Sequence, residues 1–194
     1  KLLISPSLIL FCKKLFNLLN MVDEHIHFVD TARRLNRIRL ARALAILSPL
    51  KRDLLRLIPL LFHYHRLDYP GYNGPLTPYG IFGYKPSESE VSACDTLGLV
   101  NPTLHLVNHP AIDGIYSMGS MSSFGQNFKS DVDIWLVYEP LLSANECQLL
   151  EEKSELISTW FSQYGFEVNI YLVHPEQFIK TADSEGEFQS SIGL

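Results

Sequence analysis

Hydrophobic and polar residues alternate along three short runs in the second half of the chain. The runs extend from Ile112 to Met118, from Val132 to Tyr138 and from Phe166 to Val173. Alternation with a period of two is typical of strands that bury one face and expose the other. The pattern therefore predicts three β-strands in this half of the chain.

The segment between the second and third runs has the pattern of an amphipathic helix. Ser143 is the predicted N-cap, Glu146 is its capping-box partner, and Gly165 is expected to end the helix as a C-terminal cap. The residues predicted to form the buried stripe of this helix are Leu149, Leu150, Leu156, Ile157, Trp160 and Phe161. A strand, loop, strand, helix and strand predict an α+β fold, with a small mixed β-sheet and helices packed on one face.

The first half of the chain is predicted to be helical. Apolar residues recur at three- and four-residue steps between Val22 and Leu47, which predicts a long helix with one buried face. This face contains Ile26, Val29, Leu35, Ile38, Leu40, Leu44 and Leu47. Ser48 and Pro49 have the pattern of an N-cap and first turn, and Pro59 is expected to bend or shorten this second helix. The two helices are expected to form an N-terminal helical hairpin.

The sequence pattern divides the chain into three segments. Residues 1–20 are apolar with lysines and are expected to be a leader or a stretch upstream of the native start. Residues 21–110 contain the hairpin and an ordered loop rich in Tyr, Pro and Gly, followed by a linker or short helix near Glu88. Residues 111–194 are expected to form a catalytic core that is incomplete at its C-terminal end, because no closing core element follows the third strand.

Composition and charge exclude several classes of protein. With 46% hydrophobic and 19% charged residues, the chain is typical of a globular domain. A net charge of −5 predicts no broad cationic surface for nucleic acid. The apolar start is too short for a membrane span and contains Pro6. The three cysteines lack the spacing of metal ligands or of a disulfide framework, which favours the reducing cytoplasm.

The candidate chemistry lies between the first two predicted strands. Gly119 and Ser120 follow the first strand, Gly125 lies in the loop, and Asp131 and Asp133 begin the second strand. Two-residue spacing in a strand places both carboxylates on one face, where they could share divalent cations. Magnesium prefers oxygen ligands and keeps phosphate oxygens as further partners. The segment therefore predicts a site for magnesium and phosphate.

The loop rich in serine and glycine is the candidate cradle for phosphate oxygens. Gly119 permits a close approach of the backbone, and the Ser120 hydroxyl and neighbouring N–H groups can donate hydrogen bonds. The other candidates in this loop are Ser122, Ser123, Gly125 and Ser130. No GxxxxGK[ST] sequence occurs in the chain, which excludes a P-loop by motif.

A glycine–serine pair, a second glycine and Asp-x-Asp in this order resemble the DNA polymerase beta-like nucleotidyltransferases. The resemblance implies the nucleotidyltransferase fold and a third carboxylate on the strand after the helix, where Glu167 stands between apolar residues. The alternative for Glu167 is a charge that faces solvent on an edge strand. For Asp131 and Asp133 the alternative is a solvated turn after the serine-rich loop.

The wider sequence resembles the catalytic N-terminal region of the class I adenylate cyclases. The segments that carry the resemblance are GxYxMGSxSSxGQxxxSDxDIW, LNRIRLARAL and LIPLLFHYHRLDYPGYNG. It implies ATP as substrate, cyclic AMP and pyrophosphate as products, and two Mg²⁺ ions, or Mn²⁺, bound by Asp131, Asp133 and Glu167. A regulatory protein is expected to act through a C-terminal region that such cyclases have beyond this segment.

The Asp-x-Asp motif by itself leaves two other functions open. A nucleotidyltransferase that moves AMP from ATP to a small molecule or a protein carries the same motif. A nucleotide-binding fragment without turnover would also keep the fold. Only the wider resemblance favours cyclisation over these alternatives.

Two further groups of residues have both a functional and a structural interpretation. His63 and His65 could act as metal ligands or acid–base groups, but at a helix end they more often cap carbonyls or pack against the following loop. Arg37 and Arg39 could clamp a triphosphate, whereas a solvated helix face is the more common role of such a run.

Overall fold

The computed structural model describes residues 40–102, 107–118 and 131–177, together with residues 30, 31, 34, 35, 37 and 38. Contacts divide the chain into two compact units, residues 1–42 and 43–194. The described positions between 30 and 46 are helical. The expected leader, residues 1–20, lies outside the described residues. The division at residue 110 and the N-terminal hairpin stay predictions.

In the second unit, three helices and three strands have defined first and last residues. In chain order they are α1 (Pro49–His63), α2 (Glu88–Thr96), β1 (Ile112–Met118), β2 (Val132–Tyr138), α3 (Ala144–Ser162) and β3 (Val168–Val173). All three predicted strands are confirmed, and the third begins two residues later than its hydrophobic run. The stretch near Glu88, expected to be a linker or short helix, is a helix.

The described strands form one mixed sheet in the order β1-β2-β3. β1 runs antiparallel to β2, with Tyr116 opposite Trp135, whereas β3 runs parallel to β2, with Asp133 opposite Asn169. Parallel neighbours need a crossover connection, which α3 supplies between β2 and β3. The predicted α+β class with a small mixed sheet is therefore confirmed.

α1 begins at the predicted cap and is not shortened by its internal proline. The Ser48 hydroxyl accepts a hydrogen bond from the Lys51 N–H at 3.4 Å, and Pro49 occupies the first turn. Pro59 lies inside the helix, which continues to His63. A proline in a helix interior costs about 3 kcal/mol, whereas each large apolar side chain buried contributes about 1.5–3 kcal/mol. Seven apolar residues of α1 are buried with His63, so their burial outweighs the proline: Leu54, Leu55, Leu57, Ile58, Leu60, Leu61 and Phe62.

The capping box of α3 is confirmed, and the end of the helix differs in detail. The Ser143 hydroxyl accepts from the Glu146 N–H at 3.3 Å, and the Glu146 carboxylate accepts from the Ser143 N–H at 2.8 Å. The helix ends at Ser162, and its C-cap is Gln163 instead of Gly165. Gly165 comes two residues later with a φ of 62°, a left-handed conformation that glycine adopts without steric cost.

The buried stripe of α3 is only partly the predicted one. Leu150, Ile157 and Phe161 are buried as expected. Lys153 and Ser154 are also buried, whereas Leu156 remains 44% exposed. The geometric reason is the helical period, because residues 150, 153, 154, 157 and 161 share one face and Leu156 falls outside it. Hydrophobicity alone had favoured the leucine over the lysine.

The hydrophobic core combines one side of the sheet with the helices. Val132, Ile134 and Leu136 of β2 belong to the same buried cluster as apolar residues of α1 and α3. Among the described positions of the first predicted helix, Ala43 and Leu47 near its end are buried in this cluster. The expected buried face is wrong further upstream, where three apolar side chains are about half exposed: Leu35 at 49%, Ile38 at 47% and Leu40 at 51%. An apolar stripe is buried only where another surface covers it, which the periodicity does not reveal. Among the described residues, every helix is too short or too polar to span a bilayer.

The loop rich in Tyr, Pro and Gly is ordered against α3, as predicted. The Asn73 side chain donates a hydrogen bond to the Leu149 carbonyl at 2.9 Å. A side chain at Gly71, where φ is 85°, would overlap Ile157, because a Cβ there would lie 2.6 Å from its Cγ1 atom. The loop therefore approaches α3 at distances that only glycine permits.

A buried lysine joins α3 to the end of α1 and to this loop. The Lys153 ammonium donates to the Tyr64 carbonyl at 3.1 Å and lies 3.2 Å from Nδ1 of His65. Nε2 of His65 lies 2.6 Å from the Gly74 carbonyl, so Nε2 donates this bond and Nδ1 accepts from the lysine. The His65 ring also stacks on Tyr72, with 4.6 Å between ring centroids.

Burial changes the proton affinity of both basic groups. Desolvation lowers the pKa of Lys153 to about 7. Burial, opposed by the hydrogen bond to Gly74 and assisted by the charge of Lys153, lowers the pKa of His65. The described hydrogen-bond partners of Lys153, a carbonyl and an imidazole, carry no negative charge that would offset this desolvation.

We expect the buried Lys153 to make folding stability increase with pH above neutrality. Its folded-state pKa of about 7 lies below the unfolded value of about 10.4, so the unfolded chain binds more protons between these values and stability rises with pH across the interval. The slope contributed by one group is at most about 1.4 kcal/mol per pH unit. Urea unfolding between pH 7.5 and 9.5 should show a shallower rise for Lys153→Met than for the wild type. Lys85→Met, at an exposed lysine, serves as the control, and equal slopes for all three proteins would contradict the expectation.

Candidate active site

Four polar residues lie at one end of the two parallel strands. Asp131 directly precedes β2 and Asp133 lies within it, while Glu167 directly precedes β3 and Asn169 lies within it. Because β2 and β3 are parallel, their N-terminal ends meet at the same edge of the sheet. The structure therefore brings both aspartates of the Asp-x-Asp motif and Glu167 to one edge.

The register of β2 and β3 fixes which residues are neighbours. Val132 pairs with Val168, and Asp133 pairs with Asn169. The Val132 N–H donates a hydrogen bond to the Glu167 carbonyl at 3.0 Å. Asp131 and Glu167 each precede the first pair, so they are adjacent across the two strands.

The alternation of side chains separates the polar groups from the core. Val132 and Ile134 are 0% and 3% exposed, which assigns the intervening Asp133 to the opposite face of the sheet. Asp133 is half-buried, whereas Asp131 and Glu167 are exposed. The same alternation places Asp131 on the face of Asp133, and Glu167 on the face of Asn169. Asp133 lies within an ordered strand, whereas the exposed Glu167, next to the edge strand of the described sheet, also fits the alternative of a solvent-facing charge, so its metal role stays a prediction.

Asn169 contacts Asp133 directly and was not predicted from the sequence. Its side-chain N–H group donates a hydrogen bond to Oδ1 of Asp133 at 3.0 Å. A signal for it exists in the sequence, because Asn169 is the next same-face position after Glu167. An uncharged amide is a weaker sequence signal of a metal site than a carboxylate.

The donor set at this edge suits a hard divalent cation, although its members are not assembled into a cluster. No group of three or more His, Cys, Asp or Glu side chains close enough to hold a metal ion occurs in the described part of the chain. Carboxylate and amide oxygens are nevertheless the ligands that Mg²⁺ accepts. Since Asn169 contacts one oxygen of Asp133, the second carboxylate oxygen provides the ligand capacity for a cation.

The candidate phosphate loop begins beside the carboxylates. Met118, the last residue of β1, pairs with Asp133, so Gly119 follows directly after the residue opposite this aspartate. The loop residues themselves lie outside the described residues. Their assignment as phosphate ligands stays a prediction for Gly119, Ser120, Ser122, Ser123, Gly125 and Ser130.

The two histidines have structural roles in the described contacts. Nδ1 of His63 accepts a hydrogen bond from the Ile81 N–H at 3.0 Å, and the side chain is 6% exposed. His65 binds the Gly74 carbonyl and contacts Lys153, as described above. Both histidines thus fix the loop after α1, which supports the structural alternative over a metal or acid–base role.

The arginine run offers no support for a triphosphate clamp. Arg37 is exposed on its helix, as expected for a solvated face. Arg39 lies outside the described residues, so its role stays a prediction.

Comparison with known proteins identifies the family. Residues 25–193 match the family model described as the adenylate cyclase N-terminal domain. The chain is 36% identical over 147 residues to an adenylate cyclase of Salmonella typhimurium and 36% identical over 148 residues to one of Escherichia coli K12. It is also 34% identical over 150 residues to an adenylate cyclase of Yersinia pestis.

These alignments cover unequal parts of the proteins compared. Each covers 74% of this chain but 17% of the relative, so the chain spans about a sixth of the length of the curated relatives it matches. No solved structure matches the chain. The family match covers most of the sequence and includes the Asp-x-Asp edge, and the chain therefore belongs to the adenylate cyclase N-terminal domain family.

Proposed function

We propose that this segment carries the nucleotide- and metal-binding centre of an adenylate cyclase that converts ATP to 3′,5′-cyclic AMP and pyrophosphate. The observation that carries the proposal is the pairing of β2 with β3, which places Asp131, Asp133 and Glu167 at the same end of the two strands. The family match and the cyclase relatives support the choice of cyclisation over other transfers of AMP.

The reaction defines what the site must do. The ribose 3′-oxygen forms a bond to the α-phosphorus of ATP, the bond from that phosphorus to the pyrophosphate oxygen breaks, and the hydroxyl proton is lost. Mg²⁺ or Mn²⁺ held by Asp131, Asp133 and Glu167 would favour ionisation of the hydroxyl and neutralise charge on the phosphates. In-line displacements of this kind commonly use two metal ions, and we propose two for this site.

The chain's own residues orient the reactants at this edge. Asn169 fixes the rotation of the Asp133 carboxylate through the 3.0 Å hydrogen bond. Glu167 stands beside Asp131 and completes the set of carboxylates. Gly119 and Ser120 begin the loop next to Met118 and would approach the triphosphate with backbone N–H groups and a hydroxyl. A small mixed sheet with this edge also supports the nucleotidyltransferase fold.

The setting of the protein follows from its substrate and its thiols. We propose the reducing cytoplasm, where ATP is available, and the free cysteines Cys94 and Cys147 fit this setting. The net charge of −5 gives no reason to expect a nucleic-acid partner. A regulatory protein would act through a C-terminal region of the longer protein.

We expect Asp131→Asn and Asp133→Asn to remove the activity of the full-length protein. Each change removes a charged oxygen ligand at the centre, which costs several kcal/mol of transition-state stabilisation, or more than about 100-fold in kcat. The measurement is chromatographic identification of cyclic AMP and pyrophosphate formed from ATP and Mg²⁺.

The matched control for these variants is Asp113→Asn. Asp113 is an exposed carboxylate at the opposite end of the same sheet, and its replacement should leave turnover intact. A different adenylylated product would keep the site but assign AMP transfer to it. Full cyclase activity of both site variants would sink the proposal.

We further expect Asn169→Ala to weaken the response to metal. Loss of its N–H donor releases the Asp133 carboxylate, and loss of such supporting partners typically costs about 10–100-fold in metal affinity or activity. The measurement is the initial rate as a function of Mg²⁺ concentration, with half-maximal activity displaced to higher Mg²⁺.

Asn145→Ala provides the comparison, since Asn145 is exposed on the first turn of α3. It should reproduce the wild-type Mg²⁺ dependence. An Asn169→Ala protein with that same dependence would show that the hydrogen bond to Asp133 is unimportant for the metal.

A further inference from the structure

The hydrogen-bond pattern of the sheet shows that β3 has an open backbone edge. β3 pairs with β2 on one side, and no strand of the described residues lies on its other side. In a parallel ladder, alternate residues of a strand bond to the neighbouring strand, and the residues between them direct their N–H and C=O groups away from it. Half of the backbone groups of β3 therefore point to the open side.

The register identifies the two sets of residues on β3. The Val132 N–H donates to the Glu167 carbonyl at 3.0 Å, and Val132 lies opposite the residue that follows Glu167. The amides that bond to β2, called the inner amides below, are those of Asn169, Tyr171 and Val173. The amides that point to the open side, called the outer amides, are those of Val168, Ile170 and Leu172.

β3 has none of the features that usually keep an open edge free of partners. Its sequence VNIYLV contains no charged residue and no proline, and its pairing with β2 continues without a bulge from Val168 to Val173. Edge strands that stay exposed in native proteins commonly carry lysine, proline or a bulge that prevents further pairing. An unprotected edge of six residues is suited to the addition of another strand.

A cavity lies beside this edge, where the described sheet ends before it has covered α3. The cavity has a volume of about 640 Å³, and its walls include Ile170 and Leu172 of β3 and Ser154 and Ser158 of α3. Ile170 and Leu172 pack against the hydrophobic core but remain only half-buried. A further strand would lie about 4.8 Å from β3, and its alternate side chains would point into this cavity and complete their burial.

The rim of the cavity carries two acidic side chains. Glu151 and Glu155 are one turn apart on α3, and both line the cavity. The ion pairs found among the described residues involve other carboxylates, those of Asp53 and Asp68. A strand that carries a lysine or arginine at this point is electrostatically complementary to the rim.

We propose that the open edge of β3 binds an extended segment of the same, longer polypeptide, which adds a strand to the sheet. This segment has apolar side chains at alternate positions, which fill the cavity, and a lysine or arginine beside Glu151 and Glu155. The region aligned with this chain is 17% of the length of the curated relatives, so the remainder can supply the strand. A covalently linked strand also binds at a higher effective concentration than a separate molecule.

The added strand would support the candidate active site from outside. Asn169, which donates the hydrogen bond to Asp133, lies on β3. With strands on both sides, β3 cannot shift its register without breaking two sets of hydrogen bonds. The covered edge therefore keeps Asn169 opposite Asp133.

Hydrogen exchange of individual amides tests the open edge in the full-length protein. Mass spectrometry with fragmentation at single-residue resolution measures both sets of amides, and the inner amides serve as the internal reference. Amides that bond to a strand are protected until the strand opens. The outer amides should exchange within about 10-fold of the inner amides, because one cooperative opening exposes both sets. Exchange of the outer amides at the rate of an unstructured peptide would overturn the inference.

A bulky side chain in the cavity should displace the added strand. Ser158 is half-buried in the cavity wall, and Ser158→Trp should accelerate exchange of the outer amides by more than about 10-fold and leave the inner amides protected. Gln148→Trp, at an exposed position of α3 outside the cavity, should change neither set. Unchanged protection of the outer amides in Ser158→Trp would contradict the proposed contact.

A charge reversal at the rim tests the same contact without adding bulk to the core. Glu155→Lys should accelerate the outer amides alone by about 2- to 5-fold, because it replaces an attraction to the cationic side chain with a repulsion. Gln148→Lys adds the same charge elsewhere on α3 and should have no effect. An equal response to both substitutions would rule out the cationic partner.

Dilution identifies the source of the strand. Protection supplied by the same polypeptide is independent of protein concentration. Protection of the outer amides that disappears on dilution, together with a change from dimer to monomer in sedimentation, would assign the edge to a second copy of the chain and overturn the inference. Exchange does not require turnover, so each of these results leaves the proposed function in place.

Discussion

The parallel pairing of β2 and β3 is the constraint on which the candidate site depends. Asp131 and Asp133 are neighbours in sequence, but Glu167 reaches them only because β3 lies beside β2 in one register. A slip of one residue would move Asp133 opposite a different residue and turn Asn169 to the core face. The chemistry at this edge therefore depends on interactions far from it, which hold the connecting helix in place.

α3 is held by polar contacts as well as by its apolar stripe. Lys153 anchors the middle of the helix to Tyr64 and His65, and Asn73 binds the carbonyl of Leu149 from the loop. A buried lysine without a carboxylate partner costs desolvation energy, which is reflected in its pKa of about 7. Its length lets it satisfy a carbonyl at the end of α1 that an apolar residue would leave unpaired. These polar contacts therefore fix the position of α3 as well as stabilise it.

Local sequence patterns were sufficient to predict the features that depend on a single strand or helix. Period-two runs predicted the strands, and Ser143 with Glu146 predicted the start of α3, because both depend on residues close in sequence. Burial depends on distant surfaces, so the pattern overestimated the buried face that contains Leu35. It also missed Lys153, since a lysine is buried only when a partner elsewhere in the chain accepts its hydrogen bonds. Asn169 was missed for a related reason, because its role is visible only in the register with Asp133.

The two faces of the sheet divide the work of folding and of substrate binding. On β2, the odd positions Asp133 and Trp135 face away from the cluster formed by Ile134 and Leu136 with the helices. Asp133, a proposed metal ligand, therefore lies on the side of β2 away from this cluster. One alternating sequence of seven residues therefore encodes both a contact with the core and part of the proposed metal site.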